Sequence, residues 1–148
     1  NSVYQADVVK AALEAKGVNV TVYTFADSND VATVTQTACS ENDALYIPTD
    51  NTAASCTEAI RNVIEVEKVP VVAGEEGICK GCGVATLTIS YYDIGYATGE
   101  MAYEILVNGA DPAAMPIEYA PQFTPKYNPT ICESLGITPL DGYTAIEG

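Results

Sequence analysis

Three short clusters carry side chains able to hold a small polar molecule: Thr49-Asp50-Asn51-Thr52, Glu75-Glu76 and Tyr91-Tyr92-Asp93. In the first, hydroxyl and amide groups beside a helix N-terminus can hold a carboxylate, and Asp50 can pair with an ammonium. Asp50 is equally suited to capping its own helix. In the second, two successive acids can take a cation or the ammonium of an amino acid, or stand as solvated loop residues. In the third, a tyrosine ring can cover an apolar or aromatic ligand and Asp93 can accept from its amine, unless Asp93 caps the helix that follows. Together these groups are the complement of a zwitterionic aromatic amino acid.

A different chemistry is offered by Cys79-Lys80-Gly81-Cys82. Paired thiols at this spacing can exchange with a substrate disulfide. Redox pairs usually open a helix, whose N-terminus lowers the thiol pKa. Here the pair falls in a glycine-rich stretch between two predicted strands, so a structural loop disulfide between Cys79 and Cys82 or an incidental pair is the expectation, with metal binding and redox exchange as alternatives. The odd total of five cysteines (Cys39, Cys56, Cys79, Cys82 and Cys132) and the absence of histidine disfavour most structural zinc arrangements. Without histidine there is no Ser/His/Asp triad, and neither a phosphate-binding G-x-x-x-x-G-K-[ST] loop nor a G-x-G-x-x-G fingerprint occurs. No catalytic residue, cofactor or metal ligand is assigned. The chain reads as a receptor, not an enzyme.

The bulk composition narrows the partners. At 148 residues, 48% of them hydrophobic, the chain has enough apolar side chain for one domain with a real core. Twenty acidic against six basic residues give a net charge of −14, which repels phosphate backbones and anionic lipid, so nucleic-acid and membrane-surface roles are disfavoured. No apolar run approaches the roughly 20 residues that span a bilayer, and the first residues show no basic and apolar signal-peptide pattern.

The elements that must position these clusters alternate. A helix is predicted from Val3 to Lys16, capped by Ser2, with Val8, Val9, Ala12 and Leu13 on one face and Gly17 closing it in a left-handed conformation. Val18 to Phe25, β-branched and alternating, reads as a strand. A second helix, capped by Ser28 or Asn29, carries Val31, Val34 and Ala38. Ala44 to Ile47 is a short buried strand, Asn51 to Glu67 a helix with an inner stripe of Cys56, Ala59, Ile60, Val63 and Ile64, and Val69 to Ala73 a strand. Gly74 to Gly83 reads as a loop, Val84 to Ser90 as a strand, and the next helix runs from Asp93 to Gly109. Beyond Asp111 the rhythm gives way to extended pieces near Ile117–Tyr119 and Thr124–Asn128 and a small helix over Pro129–Leu135. Strands joined by single helices pair in parallel, so the predicted fold is α/β with a parallel, doubly wound, Rossmann-like sheet. The chain opens on a helix. A sheet lacking an internal strand leaves backbone groups unpaired, so an upstream strand is expected in the natural protein.

Four stretches in order carry a family resemblance: Tyr46-Ile-Pro-Thr-Asp-Asn-Thr52 with Ala54-Ser-Cys-Thr-Glu-Ala59, Val69-Pro-Val-Val-Ala-Gly-Glu-Glu-Gly77, Ile89-Ser-Tyr-Tyr-Asp-Ile-Gly-Tyr-Ala-Thr-Gly99 and Ala110-Asp-Pro-Ala-Ala-Met-Pro-Ile-Glu118. The chain resembles the C-terminal part of the tryptophan/tyrosine-type substrate-binding proteins of ABC transporters, two-lobed receptors of the type I periplasmic-binding-protein fold. The resemblance implies that residues 1–89 form the second lobe, residues 90–121 a crossover helix and strand that dock on the first lobe, and residues 122–148 a return segment and tail. It also implies an extracytoplasmic address with a lipid anchor outside this chain. A small ligand, an amino acid, would bind between the lobes and favour a closed form that an ABC permease recognises. Asn1 and Ser2 would then join Thr49, Asp50, Asn51, Thr52, Glu75, Tyr91 and Asp93 at the ligand. Two further alternatives share this architecture: the effector domain of a transcription regulator, and a receiver-like or flavodoxin-like domain.

Overall fold

The structure, a computed structural model, describes residues 2–120 and 122–147. Helix α1 (Ser2–Glu14) leads through a turn at Gly17, which has φ of +82°, into a stretch without regular secondary structure. Then come α2 (Val31–Glu41), β1 (Leu45–Ile47), α3 (Asn51–Ser55), α4 (Thr57–Glu67), β2 (Val71–Ala73), α5 (Glu76–Cys82) and β3 (Ala85–Thr88). The remaining elements are α6 (Tyr91–Leu106), β4 (Thr124–Tyr127), α7 (Pro129–Leu135) and β5 (Thr144–Ala145). One sheet runs in the order β1-β2-β3-β4-β5. The strands of β1, β2 and β3 are parallel, β4 returns antiparallel to β3, and β5 is parallel to β4. The α/β class stands, with a mostly parallel sheet.

Burial alternates along the strands as a half-covered sheet requires. Val71 and Ala73 in β2, and Thr86 and Thr88 in β3, are buried, whereas Val72 and Leu87 point to the other face and are 43% and 58% exposed. The covering layer supplies Val31 and Cys39 from α2, Ile60 and Ile64 from α4, Ile78, Cys79 and Cys82 from α5, and Ile131 and Cys132 from α7. Asn128 ties this layer together. Its carbonyl oxygen accepts from the amides of Thr130 and Ile131 and so caps α7, while its amide nitrogen donates to the carbonyls of Cys79 and Lys80 at 3.1 and 2.8 Å. Close approach is also built in at Gly81, where a Cβ would stand 2.4 Å from Thr57 of α4.

Several expectations need correction. Val18 to Phe25 has no regular secondary structure and joins no ladder; its half-buried residues, Val20, Tyr23 and Phe25, do not follow the expected alternation. Among the described residues nothing pairs with the outer side of β1, so a strand pattern there has no partner to hydrogen-bond. The helix expected over Asn51–Glu67 breaks at Cys56 (φ −115°, ψ 17°), whose amide bonds three residues back to Ala53. Gly74 to Gly83 is not a loop but mostly α5: the intrinsic cost of two helical glycines is outweighed by burying Ile78, Cys79 and Cys82 on the sheet. Helix α2 is preceded by Asp30, not capped by Ser28 or Asn29, and α6 is capped by Ser90, whose Oγ accepts from the Asp93 amide at 3.1 Å. Ile117–Tyr119 belongs to no strand. The pair β4–β5 and the antiparallel turn into β4 were not foreseen in the sequence.

Candidate functional site

The ends of β1, β2 and β3 lie at one edge of the sheet, where open α/β folds place their ligands. Each end is locked by a side chain from its own turn. After β1, Asp50 Oδ1 accepts from the amides of Thr52 and Ala53 at 2.9 and 3.0 Å. After β2, the Glu75 carboxylate accepts from the amide of Gly77 at 2.8 Å and from that of Ile78. After β3, Ser90 caps α6. The first two turns touch: Thr49 Oγ1 donates to the Gly74 carbonyl at 3.3 Å, and a Cβ on Gly74 would stand 2.8 Å from the Thr49 nitrogen. Helix α1 reaches the same edge, since Gln5 Oε1 accepts from the Thr49 amide at 2.9 Å. Ser2, in the first turn of α1, lies one helical turn before Gln5.

A cleft of about 470 Å³ opens between the ends of β2 and β3 and the start of β4. Glu75, Glu76, Ser90, Tyr91, Tyr92 and Lys126 line it, together with Thr88, Ile89 and Thr124. The volume falls within the range of small-molecule sites. Tyr91 and Tyr92 are 57% and 79% exposed, so their rings stand free beside the cleft. Lys126 Nζ sits 2.8 Å from both carboxylate oxygens of Glu76 and joins β4 to α5.

Of the residues singled out in sequence, Glu75, Glu76, Tyr91 and Tyr92 line the cleft. Thr49, Asp50, Asn51 and Thr52 form the neighbouring β1–α3 turn outside its lining, and Asp93 sits in the first turn of α6 with its amide on Ser90. Asn1 lies outside the described residues. Sequence reasoning missed Gln5, Ser90, Thr124 and Lys126. Lys126 carried a legible signal, one of only six basic residues in an acidic chain, but only the antiparallel return of β4 brings it to Glu76.

The cysteines are also corrected. Cys79 and Cys82 occupy the second half of α5, not a loop and not a helix N-terminus, and both are free thiols, so the loop disulfide is not formed and the pair stands as an incidental one. Their Sγ atoms donate to the carbonyls of Gly83 and Ile78 at 3.6 and 3.4 Å. Burial pushes both thiols up to about 12, the opposite of what a nucleophilic or metal-binding thiolate needs. Among the described residues no group of three or more His, Cys, Asp or Glu side chains is arranged to hold a metal ion. No helix among them is long and apolar enough to cross a membrane.

Comparison with known proteins agrees with this geometry. The family model described as ABC transporter substrate binding protein matches residues 1–143. A tyrosine-binding protein of Clostridioides difficile is 30% identical over 106 residues, covering 72% of this chain and 31% of that protein. Among solved structures, a Streptococcus pneumonia ABC domain in complex with L-Trp superposes with a TM-score of 0.88 at 28% identity, over 99% of this chain and 51% of that one. A ligand-free, open substrate-binding protein with adhesive properties from Clostridium difficile gives 0.77 at 30% identity, over 99% and 50%. The chain thus spans about half the length of these solved relatives and about a third of the curated one.

Proposed function

We propose, for a chain that belongs to the ABC transporter substrate-binding protein family, that it forms one wall of a receptor for an aromatic or other hydrophobic amino acid. The observation that carries this reading is the cleft itself: two exposed tyrosine rings, a carboxylate and hydroxyl groups converge where the strand ends meet helix N-termini. The L-Trp bound to one solved neighbour and the name of the tyrosine-binding relative support the ligand class. The ligand is captured between this lobe and a second one, and the closed form passes it to the permease of an ABC importer outside the membrane, with a lipid anchor as tether. The reading is of a binding protein without catalysis.

Residues 1–89 serve as the second lobe, residues 90–121 as the crossover that docks on the first, and residues 122–148 as the return. Two features support that division: α6 has no buried residue, and β4 returns antiparallel beside β3. Beside the cleft, Ser2, Thr49, Asp50, Asn51, Thr52 and Asp93 serve as secondary contacts that the first lobe completes, a role also proposed for Asn1.

The test is calorimetric titration of the polypeptide carrying both lobes with amino acids, sugars and nucleosides. Saturable binding of tyrosine or tryptophan is expected, weakened about tenfold or more by Tyr91→Ala through loss of a buried aromatic contact. Binding of a sugar or nucleoside in place of every amino acid would sink the ligand assignment.

A further inference from the structure

Around the cleft the charged groups are unevenly committed. Among the described residues Lys126 is the only cation in its lining, and its ammonium already meets both oxygens of Glu76 at 2.8 Å. That pair is internally neutral. The Glu75 carboxylate has no cationic partner among the described residues: its two oxygens each accept one amide from the first turn of α5, and each keeps further acceptor capacity. Its reach toward those amides depends on Gly77, where a Cβ would stand 3.1 and 3.2 Å from the two carboxylate oxygens. Glutamate is also not among the residues favoured for capping, where a shorter Asp, Ser or Asn is preferred. The donors left over are neutral: hydroxyls and the first amides of α6. A carboxylate entering here meets an unneutralised carboxylate and no free cation, whereas an ammonium meets an anion held in place by its own helix.

We propose that Glu75 is the specificity-determining residue of this cleft and receives the ligand's primary ammonium, while the ligand's carboxylate makes no bond to this chain. The class recognised here is then arylalkyl primary amines, of which aromatic amino acids are members. The assignment rests on the cleft being the ligand site.

Amide-resolved NMR titration of the 148-residue chain with L-tyrosine, tyramine and 3-(4-hydroxyphenyl)propionate separates the two ideas. The expected result is that tyrosine and tyramine shift the Glu75, Ser90 and Tyr91 amides with affinities within about threefold of each other, and the propionate binds at least about tenfold more weakly, the scale of one charge-assisted hydrogen bond. Glu75→Gln, which keeps one capping oxygen, should weaken tyramine by about tenfold or more. Glu76→Gln, which releases Lys126, should instead strengthen the propionate. Shifts with tyrosine but none with tyramine, or tyramine binding unchanged in Glu75→Gln, would overturn the assignment and leave the receptor reading intact. No shift with any of the three would remove the cleft as the ligand site, and the assignment with it.

Discussion

Cys79 and Cys82 are inert because of where α5 puts them. Both are fully buried, and placing a thiolate in that apolar layer costs more than the exposed reference thiol pays in water. The folded chain therefore keeps two protons that an unfolded chain releases once the pH passes the ordinary thiol value of 9.0. Stability from this source is whole below that value and declines as pH climbs toward about 12. Urea midpoints should be lower near pH 10 than at neutral pH, by an amount that burial of Tyr46, which raises its phenol too, adds to. At neutral pH an alkylating reagent should label the half-buried Cys56 in the folded chain and all five cysteines after denaturation. Rapid labelling of Cys79 or Cys82 in the native state would show α5 opening. The C-x-x-C spacing was visible in the sequence; whether it stood on a loop, a helix start or a helix end was not, because that depended on tertiary burial overriding two glycines.

At the scale of elements, the pattern of apolar residues found most helices and strands near their observed limits, since β2, β3, α4 and α7 each bury a regular stripe or alternation. It failed where a segment's state is decided by a neighbour. Val18 to Phe25 has strand-like residues and no ladder, and the β4–β5 pair follows from a reversal of direction that local periodicity does not encode. The site was half legible for the same reason: Glu75 and Tyr91 follow directly from strand ends, whereas Lys126 arrives from 50 residues away. Glycines show the contrast between packing and propensity. Gly81→Ala should destabilise by about 1–3 kcal/mol, because the new methyl overlaps Thr57 and pushes α5 off α4. Gly99→Ala, in the interior of α6 with open space around it, should instead stabilise by about 0.5–1 kcal/mol. Chemical denaturation of the two variants checks both signs.

The molecule as a whole is uneven in how well its parts are anchored. Helices α2, α4, α5 and α7 share one buried cluster, but α1 and α6 contribute no buried residue, and Tyr96, Tyr103 and Leu106 of α6 are exposed. A helix without a packed face has little beyond its own hydrogen bonds to hold it. Hydrogen exchange on the 148-residue chain should accordingly be fast along α6 and slow in α4 and β2. In a polypeptide carrying both lobes, α6 should become protected by at least about tenfold if it docks on the first lobe as proposed. Equal protection in the two proteins would argue against that docking.

The capped turns at the sheet edge also bear on the thermodynamics of recognition. Asp50, Glu75 and Ser90 already fix the backbone that follows β1, β2 and β3, so a ligand arriving at this wall need not order it. If the cleft holds the ligand as proposed, the conformational entropy lost on binding is confined to the tyrosine side chains and to whatever moves between the lobes. In the proposed two-lobed receptor, a wall built in advance would leave most of the ligand's interaction energy available for driving closure, and would make the release step as dependent on lobe opening as on the contacts in the cleft.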